Sequence, residues 1–289
     1  MSNAFLSDHS RKFQDLRFIY PVVSRRSKGL SLGVNVNPDK ACNFACPYCQ
    51  VDRTVDGLPK AIELDDLLSE LSFLMKLTKS GEIWSTERFR NTPEEFRRIN
   101  DIAFAGDGEP TTWPLLGEAI TAINRVKFQY DLEQVKTIVL TNATLLGREN
   151  VLTQLSALKD GPYEIWAKLD AGTQEYFEYI SGGKQKLDNI CDNIAQAGQQ
   201  FEITIQSLFP TVHGKEPSGN EIDAFIERIN DLTARGTNLR LLQFYTTARR
   251  PKSDVIGMIP DTDMDRLGSS IRGRVEVPVE VYYGRQWDE

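Results

Sequence analysis

The sequence predicts an α/β fold, a partial (β/α)6 TIM-like barrel, and two observations carry that prediction. Short apolar, β-branched runs alternate with amphipathic stretches of helical period, the pattern of a parallel sheet covered by helices. No Pro/Gly-rich linker or low-complexity tract divides the chain. Strands are expected over 31–37, 101–105, 137–141, 163–169, 202–208, 239–245 and 277–283. Helices are expected over 64–76, 93–100, 114–128, 148–158, 174–180, 187–197, 221–234 and 262–269. Several helix starts are marked. Thr92-Pro93-Glu94-Glu95 offers a capping hydroxyl, a proline at the first helical position and an acid at the third, and Ser218 and Asp261 are further cap candidates. Residues 1–30 read as an N-terminal extension, and 78–92 as an insertion before the second strand. Residues 31–289 read as one barrel domain ending in a C-terminal strand.

Composition narrows the function classes. Apolar residues make up 40 % and charged residues 26 %, ordinary for a globular protein with a sizeable core. No apolar run approaches the ~20 residues that span a bilayer, and the N-terminus has no apolar core of a signal peptide. A cytoplasmic protein with no membrane partner is expected. Lys and Arg total 34 against 41 Asp and Glu, a net charge of −7, which disfavours nucleic acid as a partner. Local basic patches remain at Arg25, Arg26 and Lys28, and at Arg249, Arg250 and Lys252.

Of four cysteines, Cys42, Cys46 and Cys49 stand together as C-x3-C-x2-C directly after the first expected strand. Such a cluster reads as metal or redox chemistry rather than a disulfide framework. Three thiolates this close can wrap one side of an iron–sulfur cluster and leave one iron open, whereas a structural zinc is closed by four ligands. His9 and His213 have no zinc-finger spacing to them. Zinc, or three unrelated core cysteines, are the bland alternatives. Cys191 falls on the apolar face of the 187–197 helix with Leu187, Ile190 and Ile194, and is expected in the core.

In (β/α) barrels the chemistry sits at the carboxyl ends of the strands, and polar residues gather there. The second strand runs out in Gly106-Asp107-Gly108-Glu109-Pro110, a glycine turn with an acid. Asn142 follows the third strand, Lys168 and Asp170 close the fourth two residues apart on one face, and Gln206 closes the fifth. Lys168 and Asp170 are candidate catalytic residues or a structural pair.

The cysteine motif, with Tyr48 in its aromatic place, resembles the signature of the radical S-adenosylmethionine (SAM) superfamily. That resemblance implies a [4Fe–4S] cluster on Cys42, Cys46 and Cys49, whose open iron chelates SAM. It also implies reductive cleavage of SAM to methionine and a 5′-deoxyadenosyl radical. Tyr48 would lie near the adenine, and Gly106, Asp107, Gly108 and Glu109 resemble the turn that binds the SAM amino group. Asp107 stands where that turn usually has glycine. Asn142 and Gln206 take further cofactor-binding places. The resemblance extends to the wyosine-type tRNA enzymes through Val23-Ser24-Arg25-Arg26, Gly29-Leu30-Ser31-Leu32-Gly33, the Gly-Glu-Pro-Thr run and Leu169-Asp170-Ala171-Gly172. Those enzymes carry a second cluster, for which this chain has only Cys191 left, and their tRNA suits a basic surface.

The expected function is therefore radical cleavage of SAM for a small-molecule or nucleoside-like substrate. A wyosine-type tRNA modification and a non-catalytic iron–sulfur protein for electron transfer or redox sensing are the alternatives. No strand leads into G-x-G-x-x-G, so the electron is expected from flavodoxin or ferredoxin. Arg25, Arg26 and Lys28 are the expected docking patch or, equally, a brace at the barrel mouth.

Overall fold

The computed structural model describes residues 12–24, 28–57, 62–251 and 253–284. In chain order its elements are β1 (Ile19–Ser24), β2 (Gly29–Val34), α1 (Leu64–Lys79), β3 (Ile99–Phe104), α2 (Leu116–Gln129), β4 (Lys136–Thr141), α3 (Glu149–Leu155), β5 (Tyr163–Lys168), α4 (Gln174–Ser181), α5 (Leu187–Gly198), β6 (Ile203–Leu208), β7 (Thr211–Val212), α6 (Gly219–Ala234), β8 (Leu239–Tyr245), β9 (Ile256–Gly257), α7 (Asp261–Arg272) and β10 (Val279–Tyr282). The eight longer strands are ordered β1-β2-β3-β4-β5-β6-β8-β10 in a largely parallel sheet, and β7 pairs with β9 separately. The described residues divide into two compact units.

The first unit comprises the described residues within Met1–Cys42, Arg53–Leu140 and Thr153–Glu164. Its strand β2 is buried along its whole length, as a parallel strand covered on both faces must be. It pairs in parallel with β3, Val34 opposite Phe104, and β3 pairs in parallel with β4, Phe104 opposite Val139. Helices α1 and α2 bury Leu67, Leu71 and Leu74, and Ile120 and Ile123. Strand β1, in the stretch read as an extension, runs antiparallel to β2. The Glu70 carboxylate on α1 anchors its start, accepting from the backbone N–H groups of Arg17, Phe18 and Ile19 at 3.0, 2.8 and 3.0 Å. Gly33 leaves room for Tyr20, because a Cβ there would lie 2.2 Å from the Tyr20 ring.

The expected helix over 93–100 is a correction. Only Glu94–Phe96 turns, as a 3-10 helix, and Arg97 leaves helical geometry at ψ 56°. The Arg98 carbonyl accepts from Leu30 N–H at 2.8 Å, and β3 begins at Ile99. Sheet pairing outweighs the local helix signal here, and the Thr92 hydroxyl is buried without a partner among the described residues.

The second unit comprises the described residues within Asn43–Asp52, Thr141–Leu152 and Ile165–Glu289. Here β5, β6, β8 and β10 pair in parallel, with Lys168 opposite Gln206, Gln206 opposite Gln243, and Gln243 opposite Glu280. Strand β6 is buried throughout. Helix α5 buries Leu187, Ile190, Cys191 and Ile194 on one face, as its period predicts. Ser218 caps α6, its hydroxyl accepting from Glu221 N–H. Asp261 is not a cap: Pro260 holds that position and Asp261 opens α7, where an acid still suits the helix dipole. Among the described residues no helix is long and apolar enough to cross a membrane.

Candidate active site

In the first unit, β2 and β3 run out into two loops that hold each other. Asn35 Nδ2 donates to Asp107 Oδ2 at 2.7 Å, and Asn35 Oδ1 accepts from the N–H groups of Asp107 and Asn37 at 3.1 and 3.2 Å. The glycines permit this closeness. A Cβ at Gly106 would lie 2.3 Å from Asn35 Oδ1, and one at Gly108 would lie 2.0 Å from the Ala41 carbonyl oxygen. Arg53 clasps both loops, its Nη2 donating to the Asp107 carbonyl and its Nε to the Lys40 carbonyl. Glu109 is 2 % exposed. Its Oε1 accepts from the N–H and hydroxyl of Thr111 at 3.1 and 2.5 Å, capping the turn Pro110–Thr112.

In the second unit the register of three strands sets Lys168, Gln206 and Gln243 side by side. Asp170 and Tyr245 stand two residues further along from Lys168 and Gln243, and so on the same face. A continuous polar array results. Tyr48 Oη donates to Asp170 Oδ2 at 2.5 Å. Lys168 Nζ lies 2.8 Å from Asp170 Oδ1 and donates to Tyr245 Oη at 2.6 Å. Tyr245 Oη donates to Gln206 Oε1, and Gln206 Nε2 donates to Gln243 Oε1. The backbone N–H of Leu208 adds a further bond to Asp170 Oδ1. The ammonium also faces the Tyr48 and Tyr245 rings, 5.5 and 4.8 Å from their centroids.

Charge state follows from these partners. Burial pushes the Lys168 ammonium down, and the Asp170 carboxylate with Tyr245 outweighs it, leaving Lys168 above its ordinary value. Burial, reinforced by Asp170, holds the Tyr48 phenol protonated. Burial also pushes the Cys46 thiol up to about 12, with the neighbouring Tyr48 hydroxyl opposing the rise. A thiolate at Cys46 therefore needs a cationic partner.

Cys42 ends the first unit, and Cys46 and Cys49 belong to the second. All three are partly exposed and Cys191 is buried, with no disulfide among the four. Thiols are the donor type that an iron–sulfur cluster takes, while among the described residues no group of three His, Cys, Asp or Glu is placed to hold a metal ion. The Asn142 amide is engaged by Asn43 and Thr144. The Gly106–Glu109 turn and the Lys168–Asp170 pair stand out in the sequence; Asn35 and Arg53 do not, and Gln243 and Tyr245 stand out only as polar residues at a strand end. Asn35 and Asn37 alternate at the end of an apolar run, as Gln243 and Tyr245 do in β8, and that alternation was the available signal. Lys28 is exposed, whereas Arg25, Arg26 and Lys252 lie outside the described residues. Exposed Arg250 lies 3.6 Å from exposed Asp254.

Comparison with known proteins places this arrangement. The radical SAM superfamily model matches residues 36–208, more than half of the chain. A protein of Brachyspira hyodysenteriae named GTPase Obg is 23 % identical over 93 % of this chain, which spans only 35 % of that protein's length. Streptococcus suis SuiB bound to SAM shares the fold at TM-score 0.57 and 13 % identity, over 89 % of this chain and 52 % of SuiB. TYW1 with a lysine-pyruvate adduct bound shares it at TM-score 0.52 and 17 % identity, over 86 % of this chain and 74 % of TYW1. The partial-barrel fold read from the sequence is thus shared with both. This chain belongs to the radical SAM superfamily.

Proposed function

We propose that Cys42, Cys46 and Cys49 hold one [4Fe–4S] cluster, and that the enzyme acts on a small-molecule or nucleoside-like substrate. The observation that carries the reading is the C-x3-C-x2-C spacing inside the matched segment, with none of the three cysteines in a disulfide. When bound, the cluster supplies the electron that cleaves SAM to methionine and a 5′-deoxyadenosyl radical. The chain's own residues bind and orient. The Glu109 carboxylate is the candidate partner of the SAM ammonium, on a turn that Gly106, Asp107 and Gly108 keep close-packed. Tyr48 and Gln206 flank the Lys168–Asp170 pair.

Lys168 serves this reading as a charged donor. An amine that forms a carbonyl adduct, as named for TYW1, must first lose its proton. Asp170 and Tyr245 hold the Lys168 proton in place. The electron is assigned to flavodoxin or a ferredoxin.

Anaerobic reconstitution tests the reading. The chain should take up about four irons and four sulfides, and after reduction convert SAM to 5′-deoxyadenosine. Serine at Cys42, Cys46 or Cys49 should abolish both, while serine at Cys191 should leave both intact. A cluster that forms without any SAM cleavage supports the electron-transfer alternative instead. A zinc protein devoid of iron defeats both.

A further inference from the structure

The three residues between the first two motif cysteines are each gripped by other segments of the second unit, to which they belong. Asn43 Nδ2 donates to Thr144 Oγ1 at 2.6 Å, Thr144 Oγ1 donates to Asn142 Oδ1 at 2.7 Å, and Asn142 Nδ2 donates back to Asn43 Oδ1 at 2.6 Å. The three side chains close a hydrogen-bonded ring running in one direction. Phe44 meets Phe177 edge-on, ring centroids 5.8 Å apart. Ala45 N–H donates to the Ser181 carbonyl at 2.9 Å.

Both sides of this grip are built for it. Gly182 stands at φ +60°, and a Cβ there would lie 2.3 Å from the Ala45 carbonyl oxygen. Ala143, inside the ring loop, holds φ +61° without being glycine, a conformation that costs roughly 1–2 kcal/mol. It persists because Asn193 Nδ2 on α5 donates to the carbonyls of Ala143 and Thr144 at 2.9 and 3.0 Å. A Cβ at Gly147 would lie 2.6 Å from Asn193 Oδ1.

We propose that the Asn43–Thr144–Asn142 ring, with the Gly182 seat, is a positioning device that sets the cysteine loop for its cluster. Asn142 is then a positioning residue acting through Asn43 rather than a direct SAM ligand. Its amide oxygen and nitrogen are already committed to Thr144 and Asn43. The proposal rests on the cluster reading above. It concerns the loop itself, so it has a readout in the cluster-free chain.

Thr144→Val removes the hydroxyl at nearly constant shape, and Thr144→Ser keeps it. In the reduced, cluster-free full chain, Thr144→Val and Asn142→Ala should speed modification of the motif thiols by Ellman's reagent about five- to tenfold, the yield of one to two lost hydrogen bonds. Thr144→Ser should stay within twofold of the parent. In the loaded chain, the same two variants should lose iron to bathophenanthroline faster by a similar factor. SAM affinity per loaded cluster should hold in Asn142→Ala. Parent-like thiol and chelation rates in both Thr144→Val and Asn142→Ala overturn the device. Weakened SAM binding in Asn142→Ala at unchanged cluster lability also overturns it, by making Asn142 a direct ligand. If the parent takes up no iron, the cluster reading falls while the thiol rates still judge the ring.

Discussion

Each unit encloses a lysine, Lys127 fully and Lys168 with its side chain 13 % exposed, and the two are treated in opposite ways. Lys127 on α2 is 1 % exposed and, among the described residues, meets neutral acceptors at the start of β4, the Val135 carbonyl at 2.9 Å and the Thr137 hydroxyl at 3.2 Å. Burial alone pushes it down to about 8. Lys168 at the end of β5 meets a carboxylate, two phenol rings and a phenol oxygen, and is pushed up. Strand beginnings in this class of fold serve stability and strand ends serve chemistry. The two lysines put that rule in electrostatic terms: the fold spends counter-charge on the lysine at the strand end and leaves the other to lose its proton at a lower pH than an ordinary lysine.

The comparison breaks most visibly if the counter-charge is removed. Asp170→Asn keeps the shape and an acceptor for Tyr48 but strands a buried ammonium. Unpairing a buried ion pair typically costs about 3–5 kcal/mol. The cluster-free chain should lose that much stability in urea, and Asp170→Asn combined with Lys168→Met should recover part of it. A loss below ~1 kcal/mol in the single variant means that water reaches Lys168 freely, and the contrast with Lys127 fails.

A second contrast concerns carboxylates. Asp170 is held by groups remote in sequence, whereas Glu109 caps its own turn. Glu109→Gln keeps an acceptor for Thr111 and removes only the charge. Stability should stay within about 1 kcal/mol. SAM affinity should fall roughly ten- to a hundredfold, the worth of a charge-assisted hydrogen bond of ~1.5–3 kcal/mol. Equilibrium binding of SAM to the loaded protein reads it out. Unchanged affinity assigns Glu109 to the turn alone.

These contrasts also show what the sequence could reveal. The parallel strands were legible because buried β-branched runs have few other uses, and Lys168 and Asp170 were legible because period two puts both on one face. The 93–100 helix misled because Thr92-Pro93-Glu94-Glu95 is a genuine local signal, which β3 pairing overrides across residues far apart in the chain. Strand β1 was missed because its anchor, Glu70, lies on a helix some fifty residues away. Gln243 and Tyr245 close an expected strand, but their place beside Gln206 and Lys168 follows from the register of β5, β6 and β8, which no single stretch of sequence encodes. Asn43 looked like spacer between cysteines because its ring partners are about a hundred residues on.

The smallest expected effect tests the Lys127 side. Its folded value is about 8 and its ordinary value 10.5. Between these, the unfolded chain carries a proton that the folded chain does not, so stability rises with pH across that window. Below pH 8 both states are protonated and the folded chain bears the whole burial cost. Lys168 does not blur the window: its value is raised, so its contribution is fully present below 10.5 and is lost only above that. Lys127→Met removes the titration while filling the same space, at the expense of a donor to the Val135 carbonyl. Urea unfolding of the cluster-free chain at pH 7.5 and 9.5 should therefore show the parent gaining up to about 2 kcal/mol relative to Lys127→Met. The absolute difference at either pH mixes the lost hydrogen bonds with the lost charge, so the change between the two pH values is the quantity that decides. Parallel pH dependences in parent and variant mean that Lys127 keeps its proton when folded, and that the two lysines do not differ in the way their partners imply.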